Sequence, residues 1–571
     1  MKLRTLSQHV LSLVMAGLIL GGCGRATPTV APQTTSAPSL PATSQAAPPT
    51  AGRCGNGVCE GPENDRNCPS DCAASPPAAT TTPTSAPTRA LKTVVIRVGS
   101  VNSNDSAVKP LLGVISGPDP AYESSAPDLT ERLQDIGVTS IRNNDYYDDR
   151  LDMEGIFNCG GATYPSWEGC NPNEDQYYHW DASDAQFNSY VTGGFEPFLR
   201  LGGEWNNGPR QHDFKGPQNK TQERNWIVAA QRVVDRYLQW QGRAPVFTYL
   251  DIWTEFPSEH FWDRQPFEFF SFWAQAYTEL KQAYPSLKVG GPGFVAGETL
   301  RVIQGDSKSI PAAFLEYLYK NKIKPDWIGW HIFQNDPLKW WQAAQAYRDL
   351  LAGTGQYANV AWAGTDYFAN VEMVVDAYGM SAIGEDGREL SPTELDRIYN
   401  QKEAASILTA AWIAMQYQDI ERAYYYRAGD PKSEPGAASS RENRGGPGLF
   451  YGDAVGTYKP SAQAVRLWSQ VVEEFPALLT TELPSTTPGV ELWALAAQND
   501  KGQQAILIAN VAAEDIAWTL EFASAPVNMS DYAKVQIYQV DDTQDRRTAS
   551  DWHTGAVTIP GGSVQLVILS P

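Results

Sequence analysis

The 571-residue sequence has few histidines, a shortage of basic residues and, after its start, no long apolar run. Its 44 lysines and arginines stand against 65 aspartates and glutamates, and the formal net charge is −21. This balance argues against nucleic acid as a partner, because phosphate binding needs a basic face. No later stretch approaches the about 18 apolar residues of a membrane-spanning helix. His331 has no second histidine or cysteine at ligand spacing, so we expect no metal centre around it.

The first segment has the layout of an export signal. A short basic start precedes an apolar run over residues 10–20, and two glycines then lead to Cys23. Residues 20–23, Leu-Gly-Gly-Cys, resemble a bacterial lipobox, in which the cysteine becomes the lipidated first residue of the mature protein. The alternative is an ordinary cleaved signal with an incidental cysteine. We expect a signal peptide over 1–22 and an exported protein, lipid-anchored through Cys23 to the outer face of the bacterial cell membrane.

Residues 23–92 are rich in Pro, Thr, Ala and Ser, which predicts a flexible linker, because such a composition buries too little apolar surface to offset its ordering entropy. Four cysteines interrupt the linker in a small module at 54–72. An oxidising compartment favours disulfides there. A zinc site is the alternative, but the spacing lacks the paired CxxC pattern. The module's carboxylate and amide oxygens also make Ca²⁺ conceivable as a ligand, although the spacing differs from an EF-hand loop.

Residues 93–477 alternate between short apolar runs and longer segments of helical periodicity, which predicts βα units. Helices are predicted between the strands, and the segment 459–475 is predicted to be the last helix. Eight such units favour a (β/α)8 barrel over an open sheet. The predicted strands are 111–116, 138–143, 196–201, 246–253, 288–291, 327–332, 360–364 and 422–426.

After about residue 478 the pattern changes to short apolar runs separated by turn residues, without helical periodicity. This spacing predicts a β-sandwich domain over 478–571. The early run at 93–99 precedes the first barrel strand and is a candidate to pair with that domain. A second local cysteine pair, Cys159 and Cys170, is expected to form a disulfide that staples the long loop after the second barrel strand.

Polar and aromatic residues follow five of the predicted barrel strands, where the reacting groups of such barrels lie. Five such ends on one face of the barrel indicate a cleft. The aromatic rings suit stacking on sugar faces, although Trp253 and Trp330 could equally belong to the core. The residues concerned are Arg142, Asp145, Glu204, Asn206, Trp253, Thr254, Glu255, Trp330, His331, Tyr426 and Arg427.

The predicted fourth and fifth βα units read YLDIWTEF and, after a helix, KVGGPGF, and other strand ends lie in IRNNDYYDDRLDM, WIGWHIFQNDP and YYYRAGDP. Over about residues 110–475 these motifs resemble glycoside hydrolase family 39. That family ends its fourth strand in Trp-Asn-Glu-Pro and follows it with Lys-Val-Gly-Gly-Pro. The resemblance implies a retaining glycosidase with a carbohydrate substrate. It implies that Glu255 is the general acid and base and that a carboxylate at the end of the seventh strand is the nucleophile.

Two departures from the family pattern leave the activity open. Thr254 stands where the family has Asn, and the segment taken as the seventh strand lacks Glu. Its alignment places Ala361 at the nucleophile, or in a shifted register Asp366, which is one methylene shorter. One hypothesis is an active hydrolase of a plant-type or microbial poly- or oligosaccharide, using Glu255 with Asp366 or with another carboxylate such as Glu204. The others are a catalytically impaired carbohydrate-binding lipoprotein with a degenerate barrel, and a lyase or inverting hydrolase.

Overall fold

The computed structural model describes residues 91–571 apart from 102–106, 119–126, 144–150, 160–168, 203–215, 244, 431–445, 454, 483–490, 523–524, 528–530, 543–549 and 552–556. The expected signal segment, the lipidation site at Cys23 and the cysteine module at 54–72 with its suggested Ca²⁺ lie outside these residues. Among the helices of the described part, none is both long and apolar enough to cross a membrane.

Eight parallel strands close into a barrel, as predicted. The first and last barrel strands complete the circle, because Gly113 pairs with Tyr424 on one side and with Ser140 on the other. Aromatic and aliphatic side chains from six of the strands fill the interior as one cluster. The barrel strands are β2 (Gly113–Ile115), β3 (Ser140–Arg142), β4 (Glu196–Arg200), β5 (Tyr249–Asp251), β6 (Lys288–Gly290), β7 (Trp327–Phe333), β8 (Glu372–Gly379) and β9 (Arg422–Tyr425).

The helices surround the barrel, and several begin at local signals in the sequence. Asn219 accepts a hydrogen bond from the backbone N–H of Gln222, and Ser391 forms a capping box with Glu394, so free N–H groups of the first turn gain partners. The helices are α1 (Thr130–Asp135), α2 (Met153–Ile156), α3 (Trp180–Thr192), α4 (Lys220–Leu238), α5 (Pro266–Ala283), α6 (Ala296–Ile303), α7 (Ile310–Lys320), α8 (Pro337–Ala352), α9 (Pro392–Asn400), α10 (Lys402–Tyr417) and α11 (Pro460–Glu474).

The prediction of the seventh barrel strand at 360–364 is wrong. These residues form turns, and the strand is β8, which begins at Glu372. The apolar run that suggested a strand is explained by Trp362, which is buried, packs against Phe368 and donates from its indole N–H to the carbonyl oxygen of Leu350. The true strand was missed because Asp376 interrupts its apolar pattern.

The terminal strands form one ten-stranded sheet together with β1 (Thr93–Val101), which pairs in parallel with β13 (Ile516–Phe522) and antiparallel with β10 (Ala477–Glu482). The predicted pairing of residues 93–99 with the terminal domain is therefore confirmed. The remaining strands are β10 (Ala477–Glu482), β11 (Leu492–Gln498), β12 (Gln504–Asn510), β13 (Ile516–Phe522), β14 (Ala525–Pro526), β15 (Lys534–Val540), β16 (Ser550–Asp551), β17 (Val557–Ile559) and β18 (Val564–Ser570).

The sheet folds over on itself as a sandwich. The indole N–H of Trp518 on β13 donates to the side-chain oxygen of Gln565 on β18 at 3.0 Å, although four strands separate β13 from β18 in the order of the sheet. Apolar residues of β1, β10–β13, β15, β17 and β18 share one core. The other face of β11, β12 and β18 packs against α10 and α11 of the barrel, which explains why runs such as LWALAA are apolar on both faces.

The expected disulfide between Cys159 and Cys170 is present, with 5.4 Å between the two Cα atoms. This separation lies in the ordinary range for disulfides. Both cysteines lie between β3 and β4, so the bond closes a loop on the segment that follows the second barrel strand, as predicted.

Substituting Ile96 on β1 with Ala should lower the free energy of unfolding by about 3 kcal/mol, because this fully buried side chain leaves a cavity in the sandwich core. Val101→Ala on the same strand is the control. Because Val101 is 40% exposed, this substitution should lower the free energy of unfolding by less than about 0.5 kcal/mol. Urea denaturation followed by tryptophan fluorescence measures both. Equal losses for the two variants would contradict the role of β1 in that core.

Candidate active site

Four barrel strands bring buried charged groups together at the carboxyl end of the barrel. Arg142 is the last residue of β3, Glu255 follows β5, and His331 and Asp376 lie in the second halves of β7 and β8. All four side chains are buried, and Asp376 is fully inaccessible. Parallel strands place their carboxyl ends on one face of a barrel, so residues far apart in the sequence converge there.

His331 stands between the two carboxylates. Its Nδ1 lies 3.0 Å from Oε1 of Glu255, a hydrogen-bond distance, and its Nε2 lies 3.6 Å from Oδ2 of Asp376, an ion-pair distance. One imidazole ring therefore contacts both carboxylates. Glu255 follows β5, the fourth barrel strand, and Asp376 lies on β8, the seventh.

Arg142 connects three strands from beneath the site. One of its terminal N–H groups donates to Oδ2 of Asp251 at 2.8 Å and to Oδ2 of Asp376 at 3.2 Å. The same group reaches the hydroxyl oxygen of Thr254 at 3.2 Å. Asp251 and Asp376 are both fully buried, so their charges depend on this guanidinium for compensation.

The electrostatics of the cluster favour an ionised Asp376 and a cationic His331. Burial pushes the pKa of Asp376 upward, but the positive charges of His331 and Arg142 outweigh it and hold that pKa below its ordinary value. Burial likewise opposes the imidazolium, but Asp376 and then Glu255 raise the pKa of His331 to about 9. For Asp251, burial raises the pKa against the pull of Arg142.

Glycines in the KVGGPG segment make room for the buried carboxylates. A Cβ atom at Gly291 would lie 2.5 Å from Oδ1 of Asp251, and one at Gly293 would lie 2.5 Å from Oδ2 of Asp376. Both glycines also have positive φ angles, +107° and +60°, which residues with side chains rarely adopt. The motif that marked the family resemblance therefore has a local purpose in this chain, namely to leave space beside the two aspartates.

Glu255 has a backbone φ of +48°, in the left-handed region that non-glycine residues seldom occupy. Backbone strain of this kind costs on the order of 1–3 kcal/mol and persists only where the surroundings enforce it. Here Phe256 forms a bridge to Phe294, which in turn bridges to Trp330. These contacts fix the turn that directs Glu255 to His331.

The structure separates the predicted site residues into groups. Arg142, Thr254, Glu255 and His331 come together as described. Trp253 and Trp330 are fully buried, and Trp330 stacks on Tyr347 with ring centroids 4.0 Å apart, so the two tryptophans pack in the core.

Two predicted residues belong to the eighth strand end. Tyr426 is half-buried, with its ring edge-on to Phe333, and Arg427 donates from Nε to the carbonyl oxygen of Gly429 at 2.6 Å. Asp145, Glu204 and Asn206 lie outside the described residues.

Asp366 is not part of the cluster. It is exposed and precedes the first residue of β8, so it lies toward the amino end of the barrel, opposite the strand ends that carry Glu255 and His331. The assignment of Asp366 as nucleophile followed from the misplaced seventh strand, and the aspartate that β8 itself carries is Asp376. Asp251 was also missed. In both cases a lone aspartate within an apolar strand, in YLDIW and MVVDAY, was the available signal.

Among the described residues, no group of three or more His, Cys, Asp or Glu side chains has an arrangement that would hold a metal ion.

Residues 170–351 match the family model of glycosyl hydrolases family 39. The chain also resembles a glucosidase from Croceicoccus marinus, with 18% identity and a TM-score of 0.58, covering 84% of this chain and 99% of the other. A family 39 enzyme from Xanthomonas axonopodis pv. citri is 15% identical, with a TM-score of 0.54 and coverage of 84% and 97%. A family 51 α-L-arabinofuranosidase from Thermotoga petrophila is 11% identical, with a TM-score of 0.53 and coverage of 83% and 99%.

No curated protein matches the chain. The family match covers residues 170–351 of the 571-residue chain, and the likeness to these solved structures, at 11–18% identity, shows a shared barrel fold.

Replacing Asp376 with Asn should lower the pKa of His331 from about 9 by at least about one unit, because the substitution removes the anion that most favours the imidazolium. Histidine-selective ¹⁵N labelling and NMR titration measure this pKa, with His331→Gln assigning the signal. Asp366→Asn is the control, since that residue lies away from the cluster and should leave the titration unchanged. An unaltered His331 titration in Asp376→Asn would refute the contact.

Proposed function

We propose that the protein hydrolyses O-glycosidic bonds of a plant-type or microbial poly- or oligosaccharide with retention, using Glu255 and Asp376 as its two carboxylates. The observation that carries this proposal is the placement of Glu255 and Asp376 on either side of His331, with Glu255 just after the fourth barrel strand and Asp376 in the second half of the seventh. A glycosidase needs two carboxyl groups that flank the scissile bond.

In the first step, Asp376 attacks the anomeric carbon while Glu255 protonates the leaving oxygen, and a glycosyl ester forms on Asp376. In the second step, Glu255 takes a proton from water, the water oxygen attacks the same carbon, and the bond to Asp376 breaks. Arg142 and His331 favour the ionised form of Asp376, which a nucleophile requires. The imidazolium also stabilises the carboxylate that Glu255 becomes after giving up its proton.

A second candidate function, sugar binding without turnover, is favoured by the way Asp376 is held. Its side chain is one methylene shorter than Glu, fully buried, and ion-paired to both Arg142 and His331. Each ion pair lowers the nucleophilicity of the oxygen that makes it, and reacting atoms must approach within about 3–3.5 Å.

We also propose that the protein is exported and anchored through a lipid on Cys23 to the outer face of the bacterial membrane. The support is the signal-like start, the cysteine at the expected cleavage site and the linker composition of residues 23–92. The disulfide between Cys159 and Cys170 agrees with an oxidising compartment.

Glu255→Gln and Asp376→Asn should each lower kcat/KM by at least about 100-fold, because each removes a group that acts on the reacting atoms. Asp366→Asn should retain wild-type activity. Turnover is measured on a panel of neutral aryl glycosides and oligosaccharides, and the anomeric form of the first product is identified by ¹H NMR.

Rescue of alanine variants by azide distinguishes the nucleophile from the general acid and base. With an activated aryl glycoside, Asp376→Ala plus azide should give a glycosyl azide of inverted configuration, and Glu255→Ala plus azide one of retained configuration. A first product of inverted configuration from the wild-type enzyme would overturn the retaining mechanism. Binding without turnover in both the wild type and Glu255→Gln would establish the second candidate function instead.

Cys23→Ser should abolish metabolic labelling with radioactive palmitate and shift the protein from the detergent phase to the aqueous phase in Triton X-114 partitioning, because the thiol is the lipid attachment point. Cys159→Ser with Cys170→Ser is the control and should remain in the detergent phase. Equal partitioning of wild type and Cys23→Ser would count against the anchor.

A further inference from the structure

A concave site lies on the outer wall of the barrel, away from the charged cluster. It is formed by the outward face of α8, the end of α6 and the turn at Gly355–Tyr357, and encloses about 430 Å³. Its lining includes Ile303, Trp341, Gln342, Gln345, Asp349 and Gln356. We call it the α8 groove. Its volume is within the range of small-ligand sites.

Trp341 provides an aromatic surface in this groove. Its neighbour Trp340 is buried in the core, whereas Trp341 remains half-buried and lines the groove. The ring of Tyr417, which belongs to α10, lies 6.3 Å from the Trp341 ring between centroids, and both belong to the margin of the apolar core. The indole is therefore held by the fold and needs little reordering when a ligand stacks on it.

The polar lining is arranged along the same helix face. Gln345 donates from its amide nitrogen to Oδ1 of Asp349 at 3.2 Å, and the Thr354 hydroxyl donates to the same oxygen at 3.2 Å. These bonds fix the Asp349 carboxylate and leave its other oxygen, and the amide oxygen of Gln345, as acceptors. Gln342 accepts at 3.3 Å from Lys339, which leaves its amide N–H groups as donors.

Two glycines leave the space that the lining side chains occupy. A Cβ atom at Gly305 would lie 2.0 Å from Oε1 of Gln356, and one at Gly355 would lie 2.7 Å from Oδ2 of Asp349. Both glycines have positive φ angles, +71° and +52°. The shape of the groove thus depends on glycine at these two positions.

The chemistry of the lining selects a class of ligand. An indole ring, three primary amides and one carboxylate match the apolar faces and vicinal hydroxyl groups of a sugar. Among the residues that the structure describes, no Lys or Arg lines the groove, and Asp349 together with the net charge of −21 disfavours an anionic ligand. We propose that the α8 groove is a second binding site for a neutral oligosaccharide, distinct from the cleft at the strand ends.

The position of the groove suits it to hold a polymeric substrate near the catalytic site, a role that rests on the proposed function. Asp336 caps α8 close after β7, the strand that carries His331, and Trp341 lies in the first two turns of the helix. The lining residues on α8 run from Leu338, the second residue of the helix, to Asp349, so the groove begins near the carboxyl end of β7 and follows the barrel wall. A polymer held there by neutral sugar units would be kept near the cleft.

The test uses the full-length protein carrying Glu255→Gln, so that binding is measured without turnover. Isothermal titration with cellohexaose and xylohexaose should reveal, for at least one of them, a binding event that Trp341→Ala weakens roughly tenfold, the size expected for loss of a stacked ring. Gln342→Ala with Gln345→Ala should weaken the same event and guards against misfolding of the tryptophan variant. Trp240→Ala and Gln275→Ala, on other parts of the barrel wall, should leave it unchanged.

Three results would overturn the proposal. The first is binding of neither hexasaccharide, and the second is binding that the Trp341 and glutamine variants leave unchanged. The third is tighter binding of hexagalacturonate than of the neutral sugars. Failure of the groove proposal can be distinguished from failure of the proposed hydrolase function. Trp341→Ala should retain wild-type turnover of a short aryl glycoside, whereas Glu255→Gln should lose that turnover whether or not the groove binds a sugar.

Discussion

The compensation of two fully buried aspartates by Arg142 is the constraint on which the site depends. An isolated buried carboxylate costs several kcal/mol, so Asp251 and Asp376 are tolerable only with a cation between them. This requirement ties β3, β5 and β8 to one geometry. His331 extends the network to Glu255, and Gly291 and Gly293 leave the space that the carboxylates need. Removing one charge therefore disturbs the orientation of the others as well as the local packing.

The same network also affects the proposed reaction of Glu255 and Asp376. A cationic His331 between Glu255 and Asp376 lets the two carboxyl groups lie in one buried site without uncompensated repulsion. Strain at Glu255, with its positive φ, is concentrated at the residue proposed to move the proton. Whether Asp376 reaches a sugar carbon depends on how firmly Arg142 and His331 retain it, and the two candidate functions differ on this point.

Much of the fold could be predicted from the sequence because its signals are local. Seven barrel strands were placed by short apolar runs between helical segments, and the pairing of residues 93–99 with the terminal domain followed from their β pattern. The seventh strand failed for a physical reason. A buried aspartate inside β8 broke the apolar pattern, while Trp362 supplied an apolar run in a turn that packs on α8. Glu255 and His331 were found because Glu255 follows a recognisable strand and His331 lies near the end of another. The partnership of Arg142 with Asp251 depends on barrel closure, which no local pattern encodes.

The position of β1 has a consequence for how the chain folds. Arg97 on this strand contacts Glu482 and Glu521, which lie 385 and 424 residues later in the chain. Both edges of β1 therefore stay without their partners until nearly the whole polypeptide is available, and contacts of such long range form slowly. An unpaired strand edge is a template for aggregation during that interval. Until these two carboxylate partners are available, the positive charge of Arg97 between apolar neighbours discourages pairing of this first strand with the wrong chain.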